Sequence, residues 1–322
     1  MVRLKKINFI FFITLLFFLF AFQKVYLLKN QTKHFDDFYN KLSIQEKKNL
    51  TLFFNYLFYE NFGYVLFGDK PMGMYSIYNF KLLNKNKIKP LYKIANSYYQ
   101  TFNPQNKFIK DGFNSIKKYS KFFNNNYCFL KEKNPFNEET ELIIFINKKN
   151  FIDIINLNII DFERVLNKPI IAEDLLNECI KGKNLLTDTL KKHQGLIGML
   201  LGYGRNNAWS YYIKDSLNQK NDSLIDHQNI EVSEFFLPFC LEDCDEVHSN
   251  ITKILEFKNK DFIDYSFCIE HMTLPIFFAD PNSVETKKLE EIYKNNREDI
   301  KKKFHQNDFL YLVLENLISF KD

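Results

Sequence analysis

Two loops of this sequence contain polar side chains that could bind a ligand. The first is the tetrapeptide Gly-Asp-Lys-Pro at residues 68–71, in which Asp69 and Lys70 are the chemically active side chains. At the tip of a hairpin both could contact a ligand. The same residues are also typical of an ordinary turn, in which Asp stabilises the turn and Lys stays in water.

The second loop contains Arg205, Asn206 and Asn207, which follow four glycines within residues 195–204. Arginine and asparagine together can bind a carboxylate, a phosphate or a peptide backbone through paired N–H donors. In the alternative interpretation they end a helix and hydrogen-bond its last carbonyls. Gly198 and Gly202 have the spacing that lets two helices approach closely, and we expect that use inside the folded body.

A third group of residues could hold a metal ion. Cys240, Cys244 and His248 recur every four residues, and Cys268 and His271 follow nearby. Zinc accepts such ligands, so a structural zinc ion is one interpretation, although the spacing matches no common zinc module. In an oxidising compartment Cys240 or Cys244 could instead form a disulfide with Cys268. Simple buried thiols are the alternative we favour, and an odd count of five cysteines leaves at least one unpaired within the monomer.

Signatures of catalysis are missing. The sequence has no G-x-S-x-G elbow, no HExxH and no S-x-x-K with its companion motifs. The glycine cluster lacks the patterns of a phosphate-binding loop, and His193 lies on an apolar stripe as a core histidine would. We therefore expect a non-enzymatic binding or interaction domain with no cofactor. The alternative is an unrecognised hydrolase or transferase with a cleft between the 68–71 and 205–207 loops.

A hydrophobic segment near the N-terminus predicts a membrane association. Thirteen of the sixteen residues at 7–22 are Phe, Ile or Leu, each of which favours insertion by about 0.3–0.6 kcal/mol at a bilayer centre. Extended to Leu28 the segment has about 22 residues, or about 33 Å as a helix. Arg3, Lys5 and Lys6 precede it and should remain cytoplasmic, which places the rest of the chain on the outer side.

Residues 1–30 are therefore expected to be a signal-anchor or a signal peptide. Leu19 occupies the position two before Ala21, where a cleavage site prefers a small residue, so we favour the uncleaved anchor. All of the chain's net charge of +5 lies in this segment, which has five basic residues and no acid. The remainder is neutral as a whole, which argues against nucleic acid as a partner, because that partner requires a basic surface. A local basic patch on the neutral body stays open.

The remaining residues, 31–322, predict a single exported α+β domain, helix-rich with a small antiparallel sheet. We expect a helix over 35–62, a β-hairpin over 64–80 and two further strands at 127–130 and 142–146. Helices follow at 171–180 and 308–318, and a capping box led by Asn282 and Glu285 opens another. Leu186, Leu190, His193, Ile197 and Leu200 predict one longer helix with a core-facing stripe, ending near Gly204.

Two segments resemble a known group of proteins. LFGDKP at 66–71 and LLGYGRNNA at 200–208 are similar to segments of uncharacterised exported or membrane-anchored proteins of chlamydia-like intracellular bacteria. The resemblance implies a bacterial envelope setting, and the composition, rich in residues with AT-rich codons, is compatible with it. It implies no catalytic residue and no cofactor.

Overall fold

A computed structural model describes residues 33–59, 61–78, 104–123, 125–137, 140–221, 238–239, 269, 272–304 and 308–319. The predicted membrane segment lies outside these ranges. Within them, no helix is both long and apolar enough to span a bilayer. The α+β class is confirmed, because many helices surround a three-stranded antiparallel sheet.

The sheet consists of β1 (Met72–Tyr78), β2 (Tyr127–Lys133) and β3 (Thr140–Asn147), in the order β1-β3-β2. The central strand β3 is an almost continuous apolar run, as expected of a strand buried on both faces. Its side chains alternate between two hydrophobic clusters, with Ile143 and Phe145 in the first and Ile144 and Ile146 in the second.

Helices cover the first face of the sheet. A helix at 33–41, α1, leads into α2 (Ile44–Tyr59), and the predicted stripe of α2 is fully buried against the core. The other elements that contribute to this cluster are α3 (Phe62–Phe67), α4 (Pro104–Lys118), α10 (Val284–Phe304) and α11 (Phe309–Leu317). A single 3₁₀ turn, Ser120–Phe122, joins α4 to β2.

A second layer of helices covers the other face. Its elements are α5 (Lys148–Leu157), α6 (Ile159–Leu166), α7 (Ala172–Ile180), α8 (Gln194–Leu200) and α9 (Arg205–Asn221). A separate two-stranded ladder pairs β4 (Pro238–Phe239) with β5 (Phe277–Phe278). The sheet therefore lies between two layers of helices, and each layer buries one set of alternating side chains.

Polar side chains define where two helices of the first layer begin. Ser43 and Glu46 form a reciprocal capping box at α2, with the Glu46 backbone N–H donating to Ser43 Oγ and the Ser43 N–H donating to Glu46 Oε2, both at 3.2 Å. Asp308 accepts the Tyr311 N–H at 3.0 Å and begins α11, as predicted. These caps satisfy donors that have no partner within their own helix.

The predicted hairpin at 64–80 is wrong in its first half. Residues Tyr64 to Phe67 belong to the short helix α3, and only β1 is extended. A buried apolar run of four residues has no periodicity that separates strand from helix. As a result the main sheet has three strands, fewer than the four expected.

The predicted long helix through 186–200 is also wrong. Leu185–Thr189 form a π-helical turn, Lys191 and Lys192 adopt left-handed backbone angles, and α8 begins only at Gln194. The apolar spacing persists across this break because both pieces bury their side chains in the second cluster. Consequently His193 begins α8 and does not lie in mid-helix.

Candidate functional site

The loop 68–71 connects α3 to β1 and packs against the glycine-rich segment. Lys70 is only 4% exposed, and its ammonium lies 5.3 Å from the centroid of the Tyr203 ring. Asp69 is exposed and accepts a hydrogen bond from Asn296 of α10 at 3.2 Å. Pro71 and Lys70 both lie beside Gly202, where an added Cβ would be 3.3 Å from Pro71 Cδ. The two segments that carry the resemblance are therefore in contact.

The turn after α8 shapes this contact. The glycine that ends α8 is Gly202, two residues before the predicted Gly204. The Gly202 and Tyr203 N–H groups donate to Met199 O and Gly198 O, the Schellman pattern. Gly202 has φ +77°, which favours glycine. Its carbonyl accepts the Tyr293 hydroxyl at 2.8 Å, which ties the turn to α10.

Residues 205–207 form the N-terminal turn of α9, not a helix C-terminus. Their backbone N–H groups all donate to the carboxylate of Glu285, at 2.9 Å for Arg205, 3.2 Å for Asn206 and 3.0 Å for Asn207. Gly204, with φ +85°, leaves room for that carboxylate. A helix N-terminus attracts anions, and here the protein's own Glu285 occupies the position. Ser283, whose Oγ accepts the Thr286 N–H at 3.1 Å, begins α10 in place of the predicted Asn282.

The Arg205 side chain is held by a buried carboxylate on α6. Its Nε and Nη2 donate to the two oxygens of Asp161, which is 3% exposed, and Arg164 donates to the same carboxylate at 2.9 Å. Hydrogen bonding from Arg205, opposed by burial, holds the pKa of Asp161 below its usual range. This two-point arrangement uses the paired Nε and Nη2 donors, one of the edges with which an arginine recognises a carboxylate.

The Asn207 side chain also forms hydrogen bonds within the protein. It is 4% exposed, and its amide nitrogen donates to Tyr203 O at 3.0 Å and to Thr286 Oγ1 at 3.1 Å. Arg205 and Asn206 are exposed, whereas Asn207 is buried. The polar residues singled out by sequence thus link α9, α6 and α10 to one another.

The predicted metal ligands, Cys240, Cys244, His248, Cys268 and His271, lie outside the described residues. Among the residues that the structure describes, no group of three or more His, Cys, Asp or Glu could hold a metal ion. Two cysteines are described, Cys128 and Cys179, and neither forms a disulfide. Burial raises the pKa of both thiols, to about 12 for Cys128, which opposes nucleophilic chemistry there.

His193 serves a structural purpose. Its Nδ1 accepts the Leu196 N–H at 3.2 Å, and its ring stacks on Tyr212 with 4.1 Å between centroids. The Trp209 ring lies 5.2 Å from it in an edge-on arrangement. Burial lowers the pKa of His193, so the neutral, accepting form is favoured.

An apolar cavity of about 440 Å³, which the sequence did not predict, lies beside α8 and α9. The Tyr203 ring stacks on Phe277 at 4.9 Å and the Tyr211 ring on Phe278 at 5.2 Å, which forms one aromatic wall. Among the residues that the structure describes, the lining has no Lys, Arg, His, Asp or Glu. Its described members are Phe136, Gln194, Ile197, Gly198, Leu201, Tyr203, Asn207, Ala208, Tyr211, Ile276, Phe277 and Phe278.

Small residues at the helix crossing shape this cavity. An added Cβ at Gly198 would lie 2.9 Å from the Ala208 Cβ, so α8 and α9 approach closely there. The expected use of the glycines in close packing is therefore confirmed for Gly198. The glycine spacing was visible in the sequence. The other wall of the cavity comes from β5, about seventy residues further along the chain, which no local spacing connects to α8.

None of the residues 68–71 lines this cavity, even though they adjoin Gly202 and Tyr203. No protein-family model, no curated protein and no solved structure matches the chain. The chemistry of the site therefore has to be argued from the residues of this protein alone.

Proposed function

We propose that this protein is a membrane-anchored, non-enzymatic binding domain, and that the apolar cavity between α8, α9 and β5 takes an apolar segment of a partner protein. The observation that carries the proposal is the cavity's lining, which is mostly aromatic and aliphatic and, in the described part of the chain, has no ionisable acid or base other than tyrosine. Binding pockets are commonly apolar concavities of this size, between about 300 and 1,000 Å³.

The mouth of the cavity favours a partner protein over a small molecule. Phe136 is 51% exposed and Ile276 is 43% exposed, and both line the cavity. Apolar surface that continues from a pocket onto the exterior is typical of protein interaction sites. An apolar side chain would enter the cavity as an anchor while its neighbours cover Phe136 and Ile276.

The hydrolase or transferase alternative receives less support. It needs free polar side chains facing a cleft between the 68–71 and 205–207 loops. Arg205 and Asn207 are instead bonded to Asp161, Tyr203 and Thr286, and Glu285 is bonded to backbone N–H groups.

The proposed location at a membrane is supported by the composition of residues 7–28, which are hydrophobic enough to partition into lipid.

Selection of peptides against the full-length chain in lipid nanodiscs tests the function. We expect a phage-displayed random peptide library to yield peptides with a shared apolar anchor. Their affinity should fall by about tenfold or more in Ile276→Asp, because a carboxylate at the mouth would be desolvated on binding. The matched control is Ile44→Asp, which places the same change on an 88% exposed isoleucine of α2.

The proposal fails if selection yields no apolar consensus, or if the selected peptides bind Ile276→Asp as tightly as they bind Ile44→Asp. Circular dichroism of both variants verifies that each is folded. Both substitutions place a carboxylate on an exposed isoleucine, and only Ile276 lines the cavity.

A further inference from the structure

A second cavity follows the outer edge of the sheet, away from the site described above. It has a volume of about 590 Å³ and is lined by consecutive residues of β2 from Tyr127 to Glu132. One wall is the end of α4 with the 3₁₀ turn, and the other is the end of α7 with residues 182–184. This cavity, the β2 groove, therefore has a strand edge at its base and a helix on each side.

The backbone of β2 presents unused hydrogen-bonding groups to the β2 groove. Asn126 O accepts the Lys148 N–H at 2.8 Å and the Asn134 N–H donates to Thr140 O at 3.0 Å. In a continuous antiparallel register this makes the even-numbered residues of β2 the ones that pair with β3. Phe129 therefore points its N–H and C=O away from β3, as does its odd-numbered neighbour Lys131.

Across the part of the chain that the structure describes, the backbone groups of Phe129 and Lys131 have no hydrogen-bond partner. The two faces of β2 are nevertheless well packed, because Phe129 stacks on Phe145 at 4.5 Å and Leu130 packs against the second cluster. A strand held firmly on both faces with one unpaired edge is the arrangement that accepts an added strand.

The charge of the β2 groove specifies the kind of strand. Its described lining residues include one acid and five lysines, which are Lys117, Lys121, Lys131, Lys148 and Lys183. That acid is Glu132, and its oxygens already accept the backbone N–H groups of Leu185 at 2.7 Å and Leu186 at 3.1 Å. The rim is therefore strongly cationic on a body that is neutral as a whole.

The ion pairs of these lysines determine how much positive charge the β2 groove can offer. Lys131 pairs with Glu141 and Lys183 with Glu178. Among the described residues, Lys117, Lys121 and Lys148 form no ion pair. An incoming carboxylate would therefore meet cations whose charge is not already neutralised.

We infer that the β2 groove binds an extended, acidic segment of a partner protein, which adds to the sheet as a fourth strand beside β2. Backbone hydrogen bonds to Phe129 and Lys131 would provide affinity, and the lysines would select acidic side chains. A second copy of this chain fits poorly, because pairing β2 with another β2 would bring the two sets of lysines together. This inference uses none of the residues of the apolar cavity.

The test uses a probe peptide of ten residues with alternating Glu and Val, labelled with fluorescein. Binding to the full-length chain in phosphatidylcholine nanodiscs is measured by fluorescence anisotropy. We expect saturable binding that weakens as salt is raised. A peptide with Lys in place of Glu, and an acidic peptide N-methylated at alternate residues, should each bind about tenfold more weakly or worse.

The N-methylated peptide keeps the charge and removes the backbone donors, so it separates strand addition from simple electrostatic attraction. The protein variant is Lys117→Gln with Lys121→Gln, both exposed positions, for which we expect about tenfold weaker binding. Its matched control is Lys287→Gln with Lys288→Gln, exposed lysines of α10 that lie outside the groove.

Equal binding of the methylated and unmethylated acidic peptides would overturn the inference, as would equal binding by the two double variants. Self-association of the protein through β2 would also overturn it. In that case the protein would form a larger oligomer, and adding the probe peptide would dissociate it. The apolar-cavity variant Ile276→Asp should bind the acidic probe normally, so failure of one proposal is distinguishable from failure of the other.

Discussion

The carboxylate of Glu285, near the start of α10, accepts the backbone N–H of Asn207 at 3.0 Å and so caps a helix other than its own. The neighbouring N–H groups of Arg205 and Asn206 donate to the same carboxylate. The residues that the sequence suggested as ligand-binding therefore meet an internal anion. Their arrangement joins α9 to α10 and places Tyr203 and Ala208 around the apolar cavity.

The first prediction concerns this cap. Glu285→Gln removes the negative charge at the N-terminus of α9 and one of two accepting oxygens. We expect the free energy of unfolding to fall by about 1–2 kcal/mol, measured by urea denaturation. Glu291→Gln, at an exposed position of the same helix, should change it by less than about 0.5 kcal/mol. Equal effects of the two substitutions would contradict the capping role.

The second prediction concerns the buried carboxylate of Asp161. Asp161→Asn leaves Arg205 and Arg164 without their counter-ion, so we expect a loss of about 2 kcal/mol or more in the free energy of unfolding. The matched control is Asp153→Asn, which breaks the exposed pair with Lys149 and should cost about 0.5 kcal/mol or less.

The pH dependence of Asp161 gives an additional check. Its pKa in the folded protein is lowered, with Arg205 as the largest cause. The stabilisation is therefore fully present above the unfolded pKa of about 3.9 and is lost as the pH falls through the folded pKa. The stability difference between wild type and Asp161→Asn should accordingly shrink in acid, and a difference independent of pH would argue against an ion pair.

The third prediction concerns the crossing of α2 and α4. A Cβ added at Gly112 would lie 2.2 Å from the Cβ of Phe53, which is fully buried. Helix propensity alone would make Gly112→Ala stabilising by about 1 kcal/mol. We expect the reverse, a net destabilisation, because overpacking costs about 1–3 kcal/mol or more where a backbone has to move.

Asn114→Ala, at an exposed position of α4, is the control and should be slightly stabilising. Thermal unfolding of both variants would show melting temperatures displaced in opposite directions. If Gly112→Ala raised the melting temperature, the close approach of the two helices would be refuted.

The fourth prediction concerns His193 as the N-cap of α8. Burial lowers its pKa in the folded state below the unfolded value of about 6.5. Protonation removes the lone pair that accepts the Leu196 N–H. The contribution of the neutral cap is present above pH 6.5 and is lost as the pH falls through the folded pKa.

His193→Asn keeps a good cap that does not titrate in this range. Between pH 7.5 and pH 5.5 we therefore expect the wild type to lose more stability than this variant in urea denaturation. The other histidines are common to both proteins and cancel in the comparison. Parallel pH profiles would show that His193 is not the titrating cap.

Regular apolar patterns made several elements predictable. The stripe of α2, the helix α7, the strands β2 and β3 and the C-terminal helix α11 were all expected. In each of them the pattern of apolar residues, a stripe or a short continuous run, is a local property of consecutive residues. The α+β class follows from the same patterns, because a few short strands among many amphipathic helices leave few other arrangements.

Where two kinds of secondary structure would bury the same residues, the sequence pattern could not decide between them. The run Tyr64 to Phe67 is apolar at every position, so helix and strand would bury it equally well. The stripe from Leu186 to Leu200 passes through two left-handed lysines without losing its spacing. Packing in the first cluster, which includes residues of α10, decided the first case, and packing in the second cluster decided the other.

The sequence by itself determined the fold class, the strand at 142–146 and the presence of a hydrophobic N-terminal segment. Tertiary structure alone decided that Glu285 lies against residues 205–207, that β5 completes an apolar cavity with α8 and α9, and that β2 is an edge strand lined by lysines. Periodicity is encoded within one or two turns of chain. Contacts between residues about eighty positions apart depend on how whole elements pack, which no local spacing specifies.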